Sequence, residues 1–437
     1  MSRLPGGMRT TFRALQVRNF RLYITGQAVS VTGTWMQIVG QAWLVLEITG
    51  SGAMLGIVTA LQWIPTLFLA PLTGVIADRM SKRRILVGTQ IANLSLAFVL
   101  GLVVAAGGVE LWMLMVLAGL LGLVSAMEGP ARQSFVLEMV GGELITNAVS
   151  LNTLTINLGR LIGPAIAGLI IAGFDISTCF FLNSVSYLFT LGALLAMRRR
   201  ELHSPPQVAR ARGQLREGLH HAWSSPGLRI PLLLMVAMGT FSYEHQVLLP
   251  LLATDTYDVG AAGFGLLQSV MSVGAVFGGL FIAQRALPTH RLLTRSATVF
   301  GVVTLLLALM PTLRAAVIPI ALVGASQVVF GTLVSSTLQL HADPAMRSRV
   351  MALYQVAVIG TTPIGGPLVG WIAELWNPQA SIALGGVTAL LCGHFGWRAL
   401  RSVPDPVVTG TVELGIHDEL EAPDPADALA EIPPHRA

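Results

Sequence analysis

The chain has 437 residues, 53% of them hydrophobic and only 11% charged, with a mean hydropathy of +0.70. Soluble domains carry about 25% Asp, Glu, Lys and Arg, so this composition excludes a soluble enzyme and an intrinsically disordered chain. Two cysteines, Cys179 and Cys392, both in apolar runs, also exclude a secreted disulfide scaffold.

A bilayer core asks for about 20 mostly apolar residues per helix. Twelve such runs follow one another: spans 1 to 6 near 21–47, 53–77, 85–107, 112–130, 145–173 and 177–197, and spans 7 to 12 near 230–253, 262–284, 292–311, 315–338, 349–375 and 380–400. Unbroken runs of this length indicate helices, since barrel strands are short and alternating. The first run is longer than a signal-peptide core and lacks a small-residue cleavage site, so it is expected to be retained.

Arginine placement predicts the orientation. Arg3, Arg9, Arg13, Arg18 and Arg21 precede or open span 1, and Arg79, Lys82, Arg83 and Arg84 lie between spans 2 and 3. Arg198, Arg199, Arg200, Arg210, Arg212 and Arg216 follow span 6, and further arginines follow spans 8, 10 and 12. The odd-numbered exits carry only Arg314. Both termini are therefore expected on the cytoplasmic side. Lys82, the single lysine, sits between Ser81 and Arg83, which leaves no Walker phosphate loop and no membrane Schiff-base lysine.

The organisation predicted is an N-terminal arm (1–18), a six-helix half (19–197), a linker (198–228), a second six-helix half (229–401) and a disordered acidic tail (402–437). Within the linker, Leu215, Leu219 and Trp223 recur at helical spacing, as in a helix lying on the membrane surface. Asn19-Phe20-Arg21 before span 1 matches Gly227-Leu228-Arg229 before span 7, and Gly163-Pro164 of span 5 matches Gly366-Pro367 of span 11. Repeated halves place a substrate site at their interface near the midplane. Eight of the 22 acids fall after residue 401, against Arg436 alone, so the membrane body is more basic than the overall +5 suggests.

The segment Gly74-Val75-Ile76-Ala77-Asp78-Arg79-Met80-Ser81-Lys82-Arg83-Arg84 resembles the loop signature of the major facilitator superfamily, with Ser81 where glycine is usual. The resemblance implies an all-α membrane protein of twelve transmembrane helices in two pseudo-symmetric six-helix halves. It also implies a latch: Asp78, with Gly74 and Arg79, meets the N-terminus of span 11 near Arg347 and Arg349, because helix N-termini attract carboxylates. Arg132, with Glu128, can join that network or simply form a salt pair. The second half has lost the acid, with Gln284 and Arg285 at the matching positions.

Span 5 carries Gly159-Arg160-Leu161-Ile162-Gly163-Pro164, which is similar to the bending motif of superfamily antiporters; Gly159, Gly163, Pro164, Gly366 and Pro367 are its expected elements. Physically, the glycines permit close helix contact and the proline frees a carbonyl that must find another donor. Arg18-Asn19-Phe20-Arg21-Leu22-Tyr23, Gly26-Gln27, Thr49-Gly50-Ser51 and Arg347-Ser348-Arg349-Val350-Met351 resemble the enterobactin-exporter and macrolide-efflux branch, across nearly all of 12–401. That likeness implies export of a siderophore, macrolide or other amphipathic metabolite by proton antiport in the bacterial cytoplasmic membrane. An importer or facilitator, or a transport-inactive sensor or scaffold, are the alternatives.

A charge near the midplane costs roughly 2.5–3.5 kcal/mol on insertion scales, so each is a candidate functional group. Arg160 in span 5 and Glu244 in span 7 can pair across a central cavity and couple proton movement to rocking of the halves. Gln37, Gln41, Asn157, Asn183, Tyr187, Phe241, Tyr243, Gln268 and Gln355 are the candidate cavity residues, since amides facing lipid lack partners. Gln62, Gln327, Gln339 and Trp63 belong to the same polar and aromatic set. The histidines form no metal-ligand pattern and no catalytic constellation stands out, so no enzyme activity, cofactor, metal or nucleic-acid partner is expected. The expected partners are a small-molecule substrate, protons and the bilayer, with the protein a monomer.

Overall fold

The computed structural model describes residues 12–203, 214–284, 288–343 and 346–405. The arm up to residue 11, part of the linker and the acidic tail from 406 lie outside the described residues, as do the side chains of Gly74, Asp78 and Arg79.

Among the described residues the secondary structure is helical throughout. Spans 1 to 6 are Arg18–Thr49, Gly52–Arg79, Lys82–Ala105, Leu111–Val140, Ile145–Gly173 and Ser177–Ala196. A short helix, Gln214–Ser224, precedes span 7, and spans 8, 9, 10 and 12 are Gly260–Ala283, His290–Ala308, Leu313–His341 and Pro378–Leu400. Eleven spans are long and apolar enough to cross a membrane, and span 1 is absent from that set. Its 32 residues suffice in length, but Asn19, Gln27, Ser30, Gln37 and Gln41 lower its hydropathy. All five are buried, so polarity that would be costly against lipid is placed against protein.

Two spans are interrupted. Span 7 runs Pro226–Ser242, breaks at Tyr243-Glu244 and resumes at His245–Leu251, ending in a π turn at Leu252–Thr256. Span 11 runs Arg347–Ile359 and Thr362–Leu375, with Gly360-Thr361 between. Pro363 explains the second break, because it has no N–H for the Ile359 carbonyl and its ring would collide with it. No proline lies at the first break. It is held by neighbours: the Ser242 hydroxyl donates to the Gly385 carbonyl at 2.7 Å, and the Tyr243 hydroxyl to the Gln327 carbonyl at 3.2 Å.

Packing repeats between the halves. Spans 1 and 6, 2 and 4, and 3 and 6 pair as 7 and 12, 8 and 10, and 9 and 12 do. The halves meet along spans 2 and 11 and along spans 5 and 8. Large apolar side chains such as Phe68, Leu169, Phe174 and Ile318 point outward, each more than 70% exposed, as lipid-facing surface requires. Two ends of the bundle can be distinguished. The arginine-rich end carries Arg83, Arg198 and Arg349, and the bare end carries the span 1–2, 5–6, 7–8 and 11–12 connections.

Candidate functional site: the junction of the two halves

At the bare end the halves close backbone to backbone. Gly52 and Gly56 of span 2 lie along Gly366 and Gly370 of span 11; a Cβ on Gly56 would stand 2.3 Å from the Gly366 carbonyl oxygen, and one on Gly370 would stand 2.1 Å from that of Gly52. Spans 5 and 8 repeat the device, where a Cβ on Gly265 would lie 2.3 Å from the Pro164 oxygen. Small residues at four-residue spacing let helices approach this closely. A polar bond also crosses between spans 2 and 11, from the Ala53 amide to the Glu374 carboxylate at 3.1 Å.

Toward the arginine-rich end the halves part. The outer segment of span 11 packs along span 2, whereas Arg347–Ile359 lies mainly on spans 7 and 10 and on the Gln214–Ser224 helix. Among the described residues no ion pair here joins one half to the other. Lys82 pairs with Glu138 at 2.9 Å and Arg132 with Glu128. Glu128 also accepts from Gln90 at 3.1 Å and from Asn93 at 2.9 Å. Arg349 pairs with Glu217 of the connecting helix at 2.5 Å, and Arg347 is exposed. Of the expected latch residues, Arg349 and Arg132 thus have partners on their own side.

Below the closed end is a pocket lined by Trp35, Gln41, Thr59, Gln62, Gln246 and Gln268, among others, from spans 1, 2, 7 and 8 of both halves. Span 5 contributes no lining residue but packs behind the pocket wall, where Gly159 and Gly163 sit against Val31, Thr32 and Trp35 of span 1. Pro164 offers no N–H to the Arg160 carbonyl, and the Ser272 hydroxyl of span 8 supplies the missing donor at 3.2 Å. Ser269 likewise donates to Leu161 at 2.9 Å. The Arg160 guanidinium lies over the Trp35 ring, 5.1 Å from its centroid.

Glu244 occupies the break in span 7 and is only 3% exposed. Its carboxylate lies against Thr362 and beside the span 11 glycines: a Cβ on Gly365 would be 2.9 Å from one oxygen and a Cβ on Gly366 3.7 Å from the other. Gly366 therefore has Glu244 near one face and Gly56 of the opposite half near another. Arg160 and Glu244 do not pair in this arrangement, because each side chain is drawn to a different helix, Trp35 of span 1 and Thr362 of span 11.

The candidate cavity residues separate into groups. Gln41 and Gln268 line the pocket. Gln37 and Asn183 do not, since Asn183 donates to Gln37 at 2.6 Å and to Tyr187 at 3.3 Å, inside the first half. Phe241 lines a separate pocket among spans 7, 9 and 12, and Tyr243 packs edge-on against Phe300. Asn157 and Gln355 are exposed. Trp35, Gln246 and Thr362 are the additions that sequence reasoning missed. Thr362-Pro363 beside Gly365-Gly366 was the available sign of an irregular helix, whereas Trp35 reads as an ordinary apolar position.

Two six-helix halves, related spans in matching places and an interface along spans 2, 5, 8 and 11 define the major facilitator fold. The family described as transmembrane secretion effector matches residues 9–404, and the chain belongs to it. The multidrug efflux pump Tap of Mycolicibacterium fortuitum is 26% identical over 83% of this chain and 90% of that protein. The staphyloferrin A transporter of Staphylococcus aureus is 26% identical over 58% of this chain and 64% of its own length. The enterobactin exporter EntS of Shigella flexneri is 29% identical over 58% and 60% respectively. Among solved structures, a bacterial homolog of the human lysosomal transporter Spinster, inward-facing and unoccupied, superposes with a TM-score of 0.71 at 12% identity, covering 88% of this chain and 96% of that one. The nucleoside transporter NupG gives 0.70 at 12% identity, covering 88% and 99%. The chain is a multi-pass membrane transporter, not an enzyme.

Proposed function

We propose that this transporter exports a small amphipathic molecule across the bacterial cytoplasmic membrane by alternating access, in exchange for protons. The direction is supported by relatives whose names are efflux pump and exporter. The arginine-rich end, with both termini, is the cytoplasmic side; on that reading the structure is open inward and closed outward. The observation that carries the coupling is the position of Glu244, which adjoins the Gly365-Gly366 backbone where span 11 closes on Gly56. Burying an ionised carboxylate without a cation is unfavourable, so closing the outer seam and protonating Glu244 are linked events. A proton taken up from outside lets the seam close; its release inward accompanies substrate loading, and the seam reopens. In the outward-open state the cytoplasmic end closes, and Asp78 meets the start of span 11 near Arg347 and Arg349.

Cells lacking the gene should accumulate the exported metabolite, which identifies it. In vesicles carrying the Glu244→Gln protein, an imposed pH gradient should no longer drive uphill movement of that metabolite, while exchange down its own gradient persists. Unchanged proton-driven transport in the variant would remove Glu244 from the mechanism. Metabolite depletion in the deletion cells would reverse the direction.

A further inference from the structure

Arg160 has an unusual position among the charged residues of the membrane interior. Its backbone carbonyl accepts from Ser272 across the interface, one turn along span 8 from the pocket-lining Gln268. Its side chain rests on Trp35, a pocket-lining ring. Among the described residues no carboxylate forms an ion pair with it. Glu128 is occupied by Arg132, Gln90 and Asn93, and Glu244 faces span 11.

Two buried donors at this place are unanswered: Arg160 Nε and Gln268 Nε2 have no hydrogen-bond acceptor. Gln268 lines the pocket and lies one turn before Ser272, whose hydroxyl also donates to the Gln268 carbonyl at 2.9 Å. The unanswered groups are therefore an amide donor and a cation, the cation lying over the half-buried Trp35 ring, in a place where an isolated charge is costly. A guanidinium offers several donors to one oxyanion, usually two at once. An aromatic ring beneath it provides an apolar surface for a flat group.

We infer that the substrate carried by this site is an amphipathic organic anion, its carboxylate or equivalent oxyanion held by Arg160 and Gln268 and its flat apolar part on Trp35. The inference rests on the transport reading above and names its substrate class. A cationic drug is disfavoured, because it would have to share the pocket with a fixed positive charge.

The test is equilibrium binding to the purified full-length chain by calorimetry, with three isosteric probes: 1-naphthoate, 1-naphthamide and 1-naphthylmethylammonium. The wild type should bind naphthoate roughly 10- to 150-fold more tightly than the other two. That ratio follows from about 1.5–3 kcal/mol for a hydrogen bond to a charged group, at 1.4 kcal/mol per tenfold. Arg160→Gln should abolish the preference and leave naphthamide binding unchanged, and Arg160→Lys should restore part of it. Trp35→Ala should weaken all three probes alike. If Arg160→Gln does not fold, Gln268→Leu serves in its place and should weaken naphthoate selectively. Equal naphthoate binding in the wild type and the folded variants, a preference for the ammonium probe, or no naphthoate binding by the wild type overturns the inference. Binding needs neither direction nor gradient. An anion preference alongside failed export would therefore sink the export reading alone.

Discussion

The two ends of the interface are built from opposite materials. At the bare end, Gly52, Gly56, Gly366 and Gly370 bring two backbones together with almost no side chain between them. At the arginine-rich end, charged side chains are plentiful, and the pairs they form among the described residues stay within one half, as with Lys82 and Glu138, or join a half to the connecting helix, as with Arg349 and Glu217. Glycine seams derive their strength from close fit and contain few specific bonds to break, so they can open and reform. Charges satisfied locally leave each half complete when the halves separate. The rocking motion proposed above needs both properties, and here each occupies its own end.

The contrast can be broken first at the charged end. Glu128 is 5% exposed and answers Arg132, Gln90 and Asn93 together. Glu128→Ala would leave a partly buried guanidinium and two amides without their acceptor. Removing one partner of a buried pair costs about 3–5 kcal/mol. The expected outcome is a large drop in thermal stability in detergent, followed by size-exclusion chromatography on heating. If the melting temperature is unchanged, the charges of this end are not holding the half together.

At the bare end a single methyl group should suffice. Gly56→Ala places its Cβ against the Gly366 carbonyl, and overpacking of this kind costs about 1–3 kcal/mol. If the halves rock as proposed, that cost falls on the closed seam only and shifts the population outward by roughly 5- to 150-fold. With Cys179 and Cys392 replaced by serine, a cysteine at Gln41 reports the change. It should resist a membrane-impermeant maleimide from the bare side in the parent protein and react in the Gly56→Ala background. Equal labelling in both would show that the seam tolerates a side chain and is not a closure.

Much of this was legible in the sequence, and the failures have a common cause. Hydropathy and arginine placement outlined the spans, and Gly163-Pro164 with Gly366-Pro367 marked corresponding helices that do meet the other half. The same patterns misplace Gln37 and Asn183. A polar residue on a buried helix face can look toward the opposite half or toward a neighbour in its own, and periodicity is identical in the two cases. Span 1 shows the same ambiguity in its overall polarity. The break at Tyr243-Glu244 left no trace, because the hydroxyls of Ser242 and Tyr243 hold it through tertiary contacts with Gly385 and Gln327. The Pro363 break, caused by a local clash, is the kind a sequence does display.

The smallest expected effect tests whether charges at the arginine-rich end act only locally. Glu217 is more than half exposed at its side chain, and its bond to Arg349 ties the connecting helix to the start of span 11. Exposed pairs contribute about 0–1 kcal/mol, so Glu217→Ala should change stability little. Its consequence for transport depends on what Arg349 does next. If the guanidinium is shared between Glu217 here and Asp78 when this end closes, freeing it favours the closed cytoplasmic side. The Gln41 cysteine should then label slightly faster from the bare side, up to about fivefold, which corresponds to 1 kcal/mol. The shift should disappear in a Glu217→Ala, Asp78→Asn double variant. A shift that survives removal of Asp78 would mean that Glu217 restrains the halves by docking the connecting helix, with no exchange of partners at Arg349.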